Sequence, residues 1–218
     1  MKNTSVFIFL LLSISAFSQQ NKWNLGIVGG PSITALRIVN YKMKTPTPTA
    51  GFYVGLSGRY NFTENLSIHT ELAFDRKGAV NNSTFTDASG NLLATSKLKT
   101  QFNYLTLPVF FRASVGSKVK YFLQTGPYLS YLLNQTYKDS YSSDDQNTIH
   151  KSNGTKFRPH MDFGISAGLG FVIPVKERFE ISGELRGNYG FINLFSNNSN
   201  VKQMNESLNL LIGISYKL

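Results

Sequence analysis

The chain has 218 residues, no Cys, 22 Lys plus Arg against 12 Asp plus Glu, and a formal charge of +10. That composition excludes a disulfide framework and a lipid-modified cysteine anchor. No run of five or more basic residues occurs, so the charge is dispersed, as on a solvated basic surface or one drawn to anionic lipid headgroups, and not gathered into a nucleic-acid arm.

Lys2 precedes an apolar run from Val6 to Leu12, followed by the small-residue stretch Ala16-Phe17-Ser18. This is the pattern of a cleavable signal peptide. Ser13 and Ser15 break the run well short of the roughly 20 apolar residues a helical anchor needs. We expect residues 1–18 to be removed and residues 19–218 to form one domain, since no Pro-rich or charge-rich linker divides them. An exported chain has no nucleic acid to meet.

From Trp23 onward the dominant signal is period two, the alternation of a strand whose faces meet different environments. A first strand spans Trp23 to Gly30. In the second, Phe52, Val54, Leu56, Tyr60 and Phe62 alternate with Tyr53, Ser57, Arg59 and Asn61. After residues 63–65 the third sets Leu66, Ile68, Leu72 and Phe74 against Ser67, His69, Glu71 and Asp75. Less regular strands run from Phe102 to Ala113 and from Val119 to Leu132. Met161–Ile173, Phe179–Phe191 and Leu208–Leu218 alternate again, which makes eight.

Short turns at 63–65, 114–118 and 174–178 alternate with long polar segments at 31–50, 77–100, 134–158 and 192–205. An even number of strands with alternating short and long connections predicts an all-β fold, an eight-stranded antiparallel up-and-down transmembrane barrel. Such barrels lie in the outer membrane with short turns and both termini periplasmic. The apolar face then meets lipid, and aromatic residues near the strand ends, such as Trp23, Phe62, Phe171 and Phe179 at one end and Phe52, Tyr131, Phe163 and Phe191 at the other, form interfacial girdles. A soluble carrier barrel also alternates, but the charges on the polar face are too many for a dry ligand cavity unless they pair.

Eight strands leave an interior only wide enough to be filled by side chains. The polar face carries Arg59, His69, Glu71, Lys120, Asp162, Glu180, Glu184 and Arg186. We expect them to form a structural ion-pair plug, Arg59 with Glu71 and Arg186 with Glu180 or Glu184. Antiparallel pairing about residue 176 would set Gly168 opposite Glu184 and Gly170 opposite Ser182.

Tyr104-Leu105-Thr106-Leu107-Pro108-Val109-Phe110-Phe111-Arg112, Gly126-Pro127-Tyr128-Leu129, and Asp162-Phe163-Gly164-Ile165 with Gly168-Leu169-Gly170 resemble the Bacteroidota outer-membrane β-barrel domain family, often called PorT-like. The likeness covers essentially the whole mature chain. It implies a closed barrel in the outer membrane, in contact with outer-membrane lipids and lipopolysaccharide. It also implies assembly by the barrel-assembly machinery, for which the terminal Ser215-Tyr216-Lys217-Leu218 looks like a signal, with Leu in place of Phe at the end. One relative is associated with protein secretion and gliding machinery, so envelope or secretion-system proteins are candidate partners. Pro108 lacks the N–H a closed ladder needs, and a bulge is expected there.

Neither a cofactor nor a metal site is expected. Ser67, His69 and Glu71 share a strand face, but residues two apart lie roughly 6.6 Å apart along the axis, which argues against a catalytic relay. His150-Lys151-Ser152 superficially resembles the His-x-Ser of lipid A deacylating barrels, yet it falls in a polar loop. His150, His160, Asp139, Asp144 and Asp145 lack recognised ligand spacing. Tyr137, Lys138, Tyr141, Lys151, Lys156 and Arg158 are the candidate loop contacts, a mixture suited to polysaccharide, lipopolysaccharide or protein. The reading is a noncatalytic scaffold, docking or adhesion barrel; the alternatives are an outer-membrane lipid-modifying enzyme and a secreted soluble carrier.

Overall fold

A computed structural model describes residues 22–39, 46–143, 147–155, 159–194 and 202–218. The expected signal peptide, Lys156, Arg158, Asp144 and Asp145 lie outside them.

Nine strands occur among the described residues: β1 (Trp23–Val39), β2 (Thr47–Asn61), β3 (Leu66–Thr86), β4 (Leu92–Val115), β5 (Lys120–Ser143), β6 (Asn147–Asn153), β7 (Met161–Pro174), β8 (Phe179–Gly190) and β9 (Lys202–Lys217). Eight of them close a ring in the order β1-β2-β3-β4-β5-β7-β8-β9, with β9 returning antiparallel to β1. The ninth, β6, pairs among the described residues only with the upper part of β5. Closure gives every ring strand two hydrogen-bonded neighbours, which is what permits extended backbone in a bilayer.

Period two works as expected. Leu56, Leu72, Leu107, Leu169 and Ile212 point outward and are exposed, while Ser67, Glu71, Thr106, Gln124, Arg186 and Asn209 are buried. The outward surface is oily and the bore holds the polar groups. Stacked or edge-on rings mark both ends of the oily belt: Trp23–Tyr60 at 4.8 Å and Phe179–Tyr216 at 5.2 Å on the short-turn side, Phe52–Phe74 at 5.5 Å and Phe163–Phe191 at 6.0 Å on the other.

Much of what reads as long loop is strand. β1 continues to Val39, β3 to Thr86 and β5 to Ser143, while β4 begins at Leu92. The alternation there becomes polar against polar, so it leaves no hydrophobic signature. Yet Gly78↔Gln101 through Phe85↔Ala94 remain in register. Together, the ends of β3, β4 and β5 with β6 make a four-stranded sheet projecting past the loop-side girdle. Its tip is a turn in which Asp87 Oδ1 accepts from the amides of Ser89 (2.9 Å) and Asn91 (2.8 Å).

Two local expectations are corrected. β3 and β4 keep one register on both sides of Pro108, and the irregularity falls instead between Asn103 and Tyr104. The Pro108 carbonyl accepts a bond from Thr70 Oγ1 at 2.8 Å. Beside the other face of Pro108 stands Pro127, and the ladder lacks pairs there without shifting. Second, the β7–β8 register sets Gly168 opposite Arg186 and Gly170 opposite Glu184. The turn is closed by Val175 N donating to Phe179 O, so the hairpin centres near residue 177 rather than 176.

Candidate functional site

The bore is organised in layers. At the short-turn end, Arg59 binds Glu180, whose other partners include Lys217 at 3.0 Å and Asn24 Nδ2 at 3.0 Å. Below this layer lies an open recess of about 600 Å³, rimmed by Lys22, Arg59, Lys120, Glu177, Glu180 and Lys217. Lys120 stands at the rim and donates to the Glu64 carbonyl at 3.0 Å, outside the ion-pair network in which it was expected.

The middle layer is held by Arg186. Its two terminal nitrogens donate to Glu71 at 2.7 Å each, and its Nε donates to Glu184 at 2.6 Å. Glu71 also accepts from the Tyr53 hydroxyl and contacts His69 Nε2 at 2.8 Å. Arg112 donates to Gln124 at 2.7 Å, and Gln124 passes a 2.7 Å bond to Glu184. The expected pairing of Arg59 with Glu71 is therefore overturned. Arg186 reaches across the bore and takes Glu71, and Arg59, one layer lower, takes Glu180. Of the two partners expected for Arg186, Glu184 is bonded. Gly168 makes room for it: a β carbon there would lie 2.5 Å from Glu184 Oε1.

The next layer centres on Lys77, buried between Asp75 (3.4 Å) and Asp162 (3.7 Å) and lying over the rings of Tyr128 and Tyr104. Asn205 Nδ2 donates to Asp162 at 2.9 Å. Above it, Leu36, Ala79, Phe102, Leu132 and Leu194 form an apolar cap, with Leu194 entering from the segment after β8. Side chains thus fill the bore from Glu180 to Leu194.

Lys77, Arg112, Tyr104, Tyr128 and Gln124 are bore residues that sequence reasoning did not assign; Tyr53 and Asp75, already on the expected polar face, join the network as well. A signal for Lys77 exists: continuing the odd-numbered inward face of β3 from Ser67 to Asp75 reaches it, but the polar stretch beyond hides the strand's continuation. Arg112 continues the even-numbered face of Phe102, Tyr104 and Phe110 in the same way.

Ser67, His69 and Glu71 do not form a catalytic relay. His69 and Glu71 do bond directly, correcting the expectation from axial spacing, because long side chains lean together. However, His69 Nε2 is occupied by Glu71, Nδ1 has no hydrogen-bond partner, and so Ser67 is not linked to the imidazole. A nucleophile needs that link. His150 lies on β6 opposite Asp139, and His160 stacks on Tyr131 at 5.8 Å. Among the described residues no three metal-ligating side chains converge.

The candidate loop contacts Tyr137, Lys138, Tyr141 and Lys151 all lie on the projecting sheet, not in loops. Tyr137 faces the inner side with its ring over Gly154, Lys138 pairs with Lys151 across β5 and β6, and Tyr141 is exposed. They are split between two faces of the sheet, so they do not make one patch.

Among solved structures, the chain is similar to a major outer membrane protein from Thermus thermophilus, at 13% identity and TM-score 0.50 over 90% of this chain and 99% of that one. It is also similar to E. coli outer membrane protein W (9% identity, TM-score 0.46, 93% and 100% covered) and Neisserial surface protein A (14%, 0.44, 89% and 97%). No curated protein matches the sequence. A family model described as an outer membrane protein beta-barrel domain matches residues 17–196. Most of the ring falls within that match, and with an oily exterior around a charged, filled bore, the chain belongs to the outer membrane protein β-barrel domain family.

Proposed function

We propose that this protein is a noncatalytic outer-membrane barrel that scaffolds, adheres or docks through the long-hairpin end, with the short turns and both mature termini in the periplasm. The observation carrying this reading is the projecting sheet. It leaves Phe85, Leu92, Leu93 and Ile149 exposed beyond the membrane belt, where no lipid covers them. Exposed apolar side chains on both faces of a sheet outside the hydrocarbon suit a protein partner or a receptor surface. The plugged bore, in contrast, supports neither transport nor a carried lipophile.

The orientation follows the usual asymmetry of such barrels, short turns inside and long connections outside. β9, ending at Lys217, suits recognition by the barrel-assembly machinery. Kinship with the PorT-like barrels of Bacteroidota rests on the Tyr104–Arg112 and Asp162–Gly170 motifs, and envelope or secretion-system proteins are the partners it would imply.

Because the chain lacks Cys, a single Ser89→Cys substitution at the β3–β4 tip gives a clean orientation probe. Labelling by a membrane-impermeant maleimide on intact cells is expected; labelling only after lysis would reverse the orientation. For docking, Phe85→Ser, Leu93→Ser and Ile149→Ser combined should abolish cross-links to envelope components formed by the native protein. Unchanged cross-links would remove the docking role.

A further inference from the structure

Three lysines lie side by side on the outward face of the projecting sheet. Lys99 of β4 is directly opposite Lys138 of β5, and Lys138 is directly opposite Lys151 of β6. Lys97 sits on the same face, two residues further along β4. Facing side chains on neighbouring strands stand roughly 5 Å apart, and like charges so placed repel. The neighbouring outward positions, Asn82, Gln101, Thr136, Ser140 and Asn153, are neutral. The nearest acid along the chain, Asp139, points to the opposite face, where Ser96 Oγ donates to it at 2.9 Å. Among the described residues no carboxylate pairs with any of these lysines.

We propose that this row binds the phosphorylated sugar headgroup of an outer-leaflet glycolipid. Two features select that ligand. The row continues the lipid-facing surface, since β4 presents Leu105, Leu107 and Val109 on the same side below it. Molecules of the outer leaflet therefore stand against it. The second feature is height. Lys99 lies six residues beyond Leu105, roughly 20 Å along the strand and about 15 Å above the oily belt after tilt. The polar zone of an ordinary phospholipid bilayer adds only about 5–8 Å per leaflet. Its phosphate stays well below the row, nearer Arg76, whose guanidinium lies over the Phe52 ring at 4.7 Å. A phosphorylated saccharide extends far enough, and three ammonium groups spanning about 10 Å match an anion bearing more than one phosphate.

This inference rests on the outward orientation proposed above and not on the docking role. The test uses the barrel folded in neutral phosphatidylcholine nanodiscs, with purified lipopolysaccharide, its chemically dephosphorylated form, and phosphatidylglycerol as probes. Native protein should bind phosphorylated lipopolysaccharide at least tenfold more tightly than Lys99→Gln/Lys138→Gln/Lys151→Gln, and added salt should erase the difference. The corresponding triple Arg variant should retain binding, and dephosphorylated lipopolysaccharide should not distinguish native from Gln protein. Identical heat-modifiable migration of all three proteins verifies folding. Equal binding by native and Gln proteins overturns the proposal, as does an equal loss on the dephosphorylated ligand or competition by phosphatidylglycerol as effective as that by lipopolysaccharide. Binding is read in discs open on both sides, so a reversed orientation, seen by Ser89→Cys labelling, remains a separate failure.

Discussion

The membrane belt and the projecting sheet are built from the same strands, yet they reverse the usual places of charge. In the belt, charges turn inward, are buried, and find partners, as Arg186 does with Glu71 and Glu184. On the sheet, Lys97, Lys99, Lys138 and Lys151 turn outward with no carboxylate partner among the described residues. The difference follows from the solvent touching the outer face. Hydrocarbon excludes an outward charge, whereas water and headgroups accept one. The β3–β4 ladder passes from one regime to the other without a shift, from Ala73↔Thr106 to Phe85↔Ala94.

The sharpest way to break this contrast is to remove the central cation. Arg186→Leu strands Glu71 and Glu184 in a filled bore, and breaking such a buried pair costs about 3–5 kcal/mol. We expect the folded, fast-migrating band to convert at markedly lower temperature on electrophoresis; an unchanged transition would show that the bore tolerates unpaired carboxylates. Next in size is a charge on the oily face. Ile27→Arg, midway between the two girdles on β1, should destabilise the barrel by about 2–4 kcal/mol in a lipid-folding titration. The same change at Ile149, on the projecting sheet, should cost no more than about 0.5 kcal/mol. Equal costs at the two positions would erase the distinction between the regions.

The smallest effect belongs to the tip. Hydrogen bonds from the Asn91 side chain, and then from backbone amides, hold the Asp87 carboxyl below its ordinary range. A depressed folded value means that the stabilising contribution is present above the unfolded value and lost as pH falls through the folded one. Protection of the Ser89 and Asn91 amides, their exchange measured against the intrinsic rate at each pH, should therefore fall at acidic pH, and Asp87→Ala should remove it at every pH. Protection at Ser89 and Asn91 that stays constant as pH falls would deny the carboxylate its role.

The belt was legible in the sequence because oily and polar residues alternate there, as in Phe52–Phe62 and Leu208–Leu218. The projecting sheet was not, since Asn81–Thr86 and Thr136–Ser143 present polar groups on both sides and read as loop. Which residues line the bore could be read from parity, and Glu71, Glu184 and Arg186 meet there. Arg186 with Glu184 could be read too, but the pairs that cross the bore could not. Pairing across the bore depends on strand tilt and on the centre of each turn, and a displacement by one position around residue 177 re-registers the whole β7–β8 hairpin. The same sensitivity moved Arg59 from its expected carboxylate on β3 to Glu180 on β8.

The span of the Arg186–Glu71 contact bears on how the barrel is made. The partners are 115 residues apart in the chain, on strands that do not touch side by side. Until β8 arrives, Glu71 has no guanidinium and the growing sheet carries naked charge on its concave side. Insertion of early hairpins alone would drag that charge through oil, so we expect the strands to enter the bilayer together, late, with the last turn of assembly setting the latch.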